Sequence, residues 1–349
     1  MPTKVVYGSG AIKSIGIHIG KRKALLITSQ GFIDRGLISE ISEYTNNIVK
    51  VISDVKSHPE FCDVERLYNQ AHQCQFELII AIGGGSVIDV AKFISVYNAN
   101  KEYRFVEGLT KSKVQNDSYK LIPIVAIPTT AGTGSELSPF STIWDLKEKK
   151  KYSLSLHNLF CEVAIYDPVL TLTVPRDVTV QTGLDALSHS LESIWNKNAN
   201  PITVEYSIKS AKLIMNNLVL LSNNLENIEY RGKIMQASMY AGLAFSNTQT
   251  AIAHAISYYV TLHKKVPHGI ACSFTLPMLI DNVVGQYGFV DLALKEIFGS
   301  LSSDKLRTML RELGISDKFE EYGIDDSDLE KIRLSIQNNQ RAGNSLVSI

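Results

Sequence analysis

Short apolar runs alternate with longer amphipathic segments in the first half of the chain, and this alternation limits the folds open to it. Segments such as Cys62–Gln75 and Val87–Tyr97 have apolar residues at the three- and four-residue spacing of helices packed on one face. The runs typical of buried strands are Ala24–Thr28, Ile48–Ile52, Leu78–Ile82, Ile122–Ile127 and Val163–Tyr166. The pattern predicts an α/β domain, a parallel sheet with helices on both sides.

The pattern changes after Pro175. Strand-like runs nearly disappear, and amphipathic segments such as Val178–Trp195 and Val204–Leu221 dominate, with a loop expected at Lys264–His268. We therefore predict an α/β domain over residues 1–175 and an all-helical domain over residues 176–349. The 349 residues, 45% of them hydrophobic, are enough for two packed cores.

Composition excludes several kinds of partner. Lys+Arg and Asp+Glu are equal at 35 each, so we expect no nucleic acid or anionic membrane partner. The four cysteines form no C-x-x-C pair, which favours a reducing compartment. Without an apolar run of signal-peptide or membrane-spanning length, we expect a cytoplasmic protein. A homo-oligomer such as a dimer is allowed, but no interface can be recognised from the sequence.

A glycine triplet links the third apolar run to a helix. The loop consists of Gly83, Gly84, Gly85 and Ser86. Glycines let backbone N–H groups approach an anion, and the helix that follows adds donors and a positive dipole end. We expect a pyrophosphate here, although a plain strand-to-helix turn would also account for the glycines. The spacing is not G-x-G-x-x-G, so the common dinucleotide fold is not assumed.

A second polar loop follows the fourth apolar run, at Ile127–Glu136. Two such loops at neighbouring strand ends indicate one extended ligand, a dinucleotide with its pyrophosphate on the first loop and its nicotinamide ribose near the second. The first domain is therefore predicted to bind a nucleotide. The further candidate cofactor contacts are Asp89, Thr129, Thr130, Ser135 and Lys151.

A candidate metal site is found in the second half. Asp185 and His189 are four residues apart and so share one helix face, while His254 and His268 follow on a helix and after a loop. One carboxylate and three imidazoles suit Fe(II), Zn(II) or a similar divalent ion. Each residue alone is more often a surface contact or a satisfied core histidine.

Four motifs together resemble the iron-containing (group III) alcohol dehydrogenase family: GGGSVIDVAK, TTAGTGSE, GLDALSHSLES and HA(x12)HG, in this order. The resemblance covers most of the chain and implies the dehydroquinate synthase-like architecture, with metal and nicotinamide in a cleft between the two domains. It also implies that Asp185, His189, His254 and His268 bind the metal, with Fe(II) expected ahead of Zn(II). By the same resemblance, residues 83–86 hold the pyrophosphate, and Thr129 and Thr130 line the cofactor site.

One departure from the family concerns proton delivery. Many members carry a histidine four residues after the third ligand, whereas this chain has Tyr258. We therefore take Tyr258 and the metal ligand His268 as the candidate catalytic residues.

Finer features resemble the phosphonoacetaldehyde reductases of this family: SPFSTIWDLKEKKKYSLS, ESIWNKNANP and HAISYYVT. A phosphonate dianion would need local cations. Side chains of these types are more often solvated surface charges. The candidates by type are Lys149, Lys150, Lys151, Lys264, Lys265 and Arg341.

The predicted function is a metal-dependent, NAD(P)H-linked interconversion of a small aldehyde and its alcohol. The nicotinamide supplies hydride and the metal polarises the carbonyl. Ser29 and Gln30, after the first apolar run, neither repel nor attract a 2'-phosphate, so NADPH is permitted. The alternatives are another alcohol or polyol-phosphate dehydrogenase of this fold, a dehydroquinate-synthase-like cyclase, and a nucleotide sensor without catalysis.

Overall fold

The computed structural model describes residues 2–97, 120–337 and 339–347. The chain divides into two compact units. Unit 1 falls within residues 1–129 and 135–171, and unit 2 within residues 130–134 and 172–349. The boundary that the sequence predicts at Pro175 lies just beyond the end of unit 1.

Unit 1 has the predicted α/β architecture. Its described strands are β1 (Lys4–Tyr7), β2 (Ala24–Ile27), β3 (Ile48–Ile52), β4 (Leu78–Gly83), β5 (Val96–Tyr97), β6 (Lys120–Leu121), β7 (Ile124–Pro128), β8 (Phe140–Asp145), β9 (Lys150–Ser155) and β10 (Val163–Tyr166). Its described α-helices are α1 (Ile15–Ile19), α2 (Gln30–Asp34), α3 (Leu37–Ser42), α4 (Phe61–Ala71) and α5 (Gly85–Ser95).

The main sheet has six strands in the order β1-β10-β7-β4-β2-β3, and every pairing in it is parallel. Along β4, Ile79 and Ala81 belong to one apolar cluster, whereas Leu78, Ile80 and Ile82 belong to another. Side chains alternate between the faces of a strand, so both faces of the sheet are buried. This confirms the parallel sheet and explains why its four central strands, β10, β7, β4 and β2, are continuous apolar runs.

The strand order reverses direction once. The chain passes from β2 outward to β3 and then returns to place β4 on the other side of β2. In open parallel sheets, ligands bind beyond the carboxyl ends of the strands at such a switch point. The glycine loop follows β4 and Ser29 follows β2, so both flank this point.

Several strands are absent from the prediction. β8 and β9 form an antiparallel hairpin, and buried and half-buried residues alternate along most of β8. β1 pairs with β10 at the edge of the main sheet. The predicted helix Val87–Tyr97 ends at Ser95, because residues 96–97 pair with β6 instead. The edge strand β1 and the β8–β9 hairpin bury too few side chains to leave a continuous apolar run.

Unit 2 is helical, as predicted. Its described α-helices are α6 (Arg176–Ile194), α7 (Pro201–Asn223), α8 (Ile228–Thr248), α9 (Ile252–Lys264), α10 (His268–Ser273), α11 (Leu276–Val283), α12 (Gly288–Phe298), α13 (Asp304–Glu312) and α14 (Asp326–Gln337). They share one apolar core. Among the described residues, no helix is both long and apolar enough to cross a membrane.

A buried lysine fastens the second polar loop of unit 1 to α5. Lys92 is fully buried, and its Nζ donates to the carbonyl oxygens of Ser135 (2.5 Å), Ser138 (2.6 Å) and Phe140 (2.7 Å). An ammonium group has three N–H donors, so these three acceptors match it in number. The lysine of the GGGSVIDVAK motif therefore has a structural role here.

We predict that Lys92→Met lowers the free energy of unfolding by about 2–4 kcal/mol, because three buried carbonyl groups lose a charged donor. Urea unfolding followed by circular dichroism measures the change. The control is Lys147→Met, since Lys147 is exposed in the β8–β9 turn and its replacement should change the value by less than about 0.5 kcal/mol. Equal stability of the two variants would contradict the prediction.

Candidate metal and active site

Helix α6 carries two carboxylates and an imidazole on one buried face. Asp185, His189 and Glu192 are 5%, 6% and 0% exposed. They lie at positions i, i+4 and i+7, so the helical repeat brings them to the same side. The helix thus directs three polar groups into the interior of unit 2, where each needs a partner.

His254 lies between the two carboxylates. Its Nε2 is 3.3 Å from Asp185 Oδ1, and its Nδ1 is 2.5 Å from Glu192 Oε2. The His254 ring stacks on the His189 ring at 4.6 Å between centroids and meets the His268 ring edge-on at 5.6 Å. His189 Nε2 is 3.8 Å from Asp185 Oδ1. The structure therefore brings together the four side chains that the sequence selects, while their ligand role stays a prediction.

Glu192 orients His254 through the ring nitrogen that faces away from Asp185. Besides the imidazole, its carboxylate accepts the backbone N–H groups of Ala251 (3.0 Å) and Ala253 (2.5 Å). A carboxylate that accepts from Nδ1–H fixes the tautomer and leaves Nε2 as the ligand atom. Glu192 was not predicted from the sequence as part of this site. Its position two helical turns after Asp185 could have indicated that it lies on the same helix face.

The short helix α10 supplies His268. Its second residue, Gly269, packs so closely on α6 that a Cβ atom there would overlap the carbonyl oxygen of Gln181. The glycine of the HG motif therefore lets α10 reach the turn of α6 that precedes Asp185. One turn after His268, the same helix carries Cys272, which is fully buried.

The carboxylates give this cluster a strong preference for positive charge. Burial alone would raise the pKa of Asp185, but the charge of His189 and the hydrogen bond from His254 lower it well below its usual range. Burial would likewise lower the pKa of His254, yet the neighbouring Cys272 and the Glu192 carboxylate raise it well above its usual value. A proton or a divalent cation is therefore favoured beside His254.

The donor set fits a divalent transition metal. Asp185, His254, His268 and Cys272 each offer a ligand atom within 4.8 Å of those of the other three. Ligands bound at about 2.0–2.3 Å around one tetrahedral ion are about 3–4 Å apart, so modest side-chain movement would close the set. Oxygen, nitrogen and sulfur donors suit Fe(II) or Zn(II).

The two polar loops begin side by side at the ends of β4 and β7 in unit 1. Gly83 pairs with Pro128 across β4 and β7, and the Thr129 N–H donates to the Gly83 carbonyl oxygen (3.0 Å). A Cβ atom on Gly83 would lie 2.5 Å from a methyl group of Val87, so the turn into α5 requires glycine. The expected neighbouring loops at the sheet's carboxyl edge are thus present.

Several predicted cofactor contacts also support the loop itself. Asp89 accepts from the Ser135 hydroxyl (2.9 Å) and from the Thr142 N–H (3.1 Å). Lys151 lies on β9 with its Nζ 5.2 Å from the centre of the Trp144 ring. Thr130 falls in unit 2, whereas Thr129 falls in unit 1. Binding of the cofactor by these residues remains a prediction.

The remaining candidates are spread over both units. Tyr258 is partly buried on α9, one turn after His254. Lys264 Nζ is 2.5 Å from the Asp328 carboxylate, and Arg341 Nη1 donates to the Thr250 hydroxyl (3.2 Å). Lys149, Lys150 and Lys265 lie at the β8–β9 turn and at the end of α9.

A parallel α/β unit with neighbouring polar loops and a helical unit with a buried Asp/His cluster fit the predicted class, a metal-dependent dehydrogenase. Comparison with known proteins agrees. The family model described as iron-containing alcohol dehydrogenase matches residues 2–168, and the C-terminal model of the Fe-containing alcohol dehydrogenase family matches residues 179–344. The chain belongs to the iron-containing alcohol dehydrogenase family and is an oxidoreductase acting on CH–OH groups.

Individual relatives cover nearly the whole chain. An NAD-dependent methanol dehydrogenase from Bacillus methanolicus is 32% identical over 95% of this chain and 90% of its own length. A sulfoacetaldehyde reductase from Bilophila wadsworthia is 30% identical over 93% of this chain and 88% of its own. The crystal structure of a sulfoacetaldehyde reductase from Bifidobacterium kashiwanohense, in complex with NAD+, has a TM-score of 0.91 and 28% identity, covering 100% of this chain and 94% of that one.

We predict that Glu192→Gln weakens binding of Zn(II) by about 10- to 100-fold, because the amide cannot accept from all the groups that the carboxylate serves. Competition with a chromophoric chelator measures the affinity, and circular dichroism checks the fold. Glu205→Gln is the matched control, since Glu205 is exposed on α7. Unchanged affinity in a folded Glu192→Gln protein would contradict the positioning role.

Proposed function

We propose that this protein is an NAD(P)H-linked, metal-dependent reductase of a small aldehyde that carries an anionic group. The proposed substrate is phosphonoacetaldehyde, which is reduced to 2-hydroxyethylphosphonate. The observation that carries the proposal is the convergence of Asp185, His189, His254 and His268 inside unit 2. In an alcohol dehydrogenase, a buried cluster of one carboxylate and three imidazoles can bind a divalent ion next to the oxygen of the reacting group.

In the proposed mechanism, these four residues would hold Fe(II) or Zn(II). When bound, such an ion is a Lewis acid that polarises the carbonyl group of the aldehyde. Glu192 keeps His254 Nε2 directed at the site. The buried surroundings of Asp185 and His254 exclude water, which strengthens every electrostatic interaction there.

The proposed cofactor site lies on unit 1. The backbone N–H groups of residues 83–86, at the amino end of α5, would bind the pyrophosphate. The NAD+ bound to the sulfoacetaldehyde reductase of similar structure supports a nicotinamide dinucleotide. After β2, the side chain of Gln30 accepts from the Ser53 hydroxyl and Ser29 is uncharged, so neither would repel the 2'-phosphate of NADPH.

The anionic substrate is supported by the relatives named as sulfoacetaldehyde reductases. Sulfoacetaldehyde and phosphonoacetaldehyde are both two-carbon aldehydes with a tetrahedral anion. Of the candidate cations, Arg341 has the best support, because its guanidinium bonds to Thr250 in the segment that leads into His254. Lys264 is less suited, since its charge is paired with Asp328.

We predict that kcat/KM for phosphonoacetaldehyde exceeds that for sulfoacetaldehyde and for propanal by at least about tenfold, equivalent to about 1.4 kcal/mol of transition-state binding. The assay follows oxidation of NADH and of NADPH in anaerobic buffer with ferrous iron. Arg341→Ala should raise the KM for phosphonoacetaldehyde and leave the KM for propanal unchanged. Preference for propanal or for a polyol phosphate would overturn the proposed substrate but not the oxidoreductase class.

Tyr258 is proposed to pass the proton to the product oxygen, on the basis of its position one turn from His254. We expect Tyr258→Phe to lower kcat by about 10²-fold or more, as for loss of a general acid, and to change the pH profile of kcat. Tyr259→Phe on the same helix serves as the control, since the Tyr259 hydroxyl donates to Asp328. Full turnover with an unchanged pH profile in Tyr258→Phe would remove this role.

A further inference from the structure

A cysteine lies inside the proposed metal site, and the four motifs do not account for it. Cys272 is on α10 four residues after His268, so both side chains project from the same face of that helix. It is fully buried in unit 2. The other three cysteines lie in unit 1, so Cys272 is the cysteine that unit 2 contributes to this cluster.

The distances fit a sulfur ligand. Cys272 Sγ is 3.6 Å from each ring nitrogen of His268. The sulfur belongs to the group of donors, with Asp185, His254 and His268, that all lie within 4.8 Å of one another. For a tetrahedral ion with bonds of about 2.3 Å to sulfur and about 2.0–2.1 Å to nitrogen, the two donors are about 3.5 Å apart. Cys272 therefore already has ligand spacing relative to His268.

His189 lies to one side of this group. Its ring is sandwiched between Phe245, at 4.2 Å between centroids, and His254, at 4.6 Å. Stacking on both faces fixes the plane of the His189 ring, and its Nε2 lies 3.8 Å from Asp185 Oδ1, so His189 stays in the proposed ligand set. Cys272 would add a sulfur to that set, and its sulfur moves by rotation about one side-chain bond.

We propose that Cys272 is a ligand of the metal in this site and binds it as a thiolate. The inference rests on the proposed metal site at Asp185, His189, His254 and His268. When the metal–sulfur bond forms, the thiol proton is released to solvent and no other bond changes. A thiolate adds negative charge and a soft donor, so it favours Zn(II), Co(II) and Fe(II) over Mg(II) and Mn(II).

Cobalt substitution tests this directly, because Co(II) reports its ligands by absorption. Protein reconstituted with Co(II) should show visible d–d bands from the bound ion and a near-ultraviolet charge-transfer band from the thiolate. Cys272→Ser should lose the charge-transfer band, keep the d–d bands and bind Zn(II) at least about tenfold more weakly in chelator competition. Cys161→Ala is the control, since Cys161 is also buried but lies in unit 1, and it should keep both bands.

The outcomes separate the two proposals. If the unsubstituted protein shows d–d bands without the charge-transfer band, Cys272 is not a ligand and the metal site stands. If Cys272→Ser keeps the charge-transfer band, the inference is also overturned. If the unsubstituted protein retains no cobalt, the metal site fails and this inference fails with it. Cys272→Ala, checked by circular dichroism, repeats the test should the serine variant misfold.

Discussion

The candidate metal site depends on two carboxylates buried on one face of α6. Asp185 and Glu192 are both shielded from water, and an isolated buried carboxylate is costly unless it is paired. Glu192 is satisfied by backbone N–H groups and by His254 Nδ1. Asp185 has imidazoles around it and needs further positive charge. The helical unit therefore has an electrostatic reason to bind a cation at Asp185 and a rigid imidazole to help hold it.

The residues of this site that are close together in the sequence could be predicted from the helical repeat. Asp185 and His189 are four residues apart on one helix, and that spacing alone predicts their proximity. Glu192 lies on the same helix face as Asp185, and Cys272 lies on the same face as His268, but neither was predicted from the sequence. Whether a helix face is buried depends on which other helices cover it. The packing of α6 against α7, α8 and α10 is a long-range property that residue spacing does not contain.

In unit 1, the sequence predicted the central strands well and the roles of polar residues less completely. Buried parallel strands are continuous apolar runs, so β2, β4, β7 and β10 were predicted, and the edge strand β3 was predicted because only Lys50 interrupts its apolar residues. The β8–β9 hairpin has no such run. Asp89 was selected as a cofactor contact, and it bonds to Ser135 and Thr142, far along the chain. With Lys92, it ties the second loop to the helix that begins at the first, so the geometry of one loop constrains the other.

If the substrate is the proposed anionic aldehyde, its charge is the physical basis on which the site would distinguish a phosphonate from a sulfonate. The protein has no net charge, so an anion must be recognised by local groups. A sulfonate carries one negative charge, whereas a phosphonate dianion carries two. At about 4 Å and an effective dielectric constant of about 20, each pair of unit charges contributes at most about 4 kcal/mol. A partly buried guanidinium such as Arg341 would therefore favour the dianion, and its planar donors suit two oxygens at once. Selectivity for phosphonate over sulfonate then requires no difference in the size of the pocket.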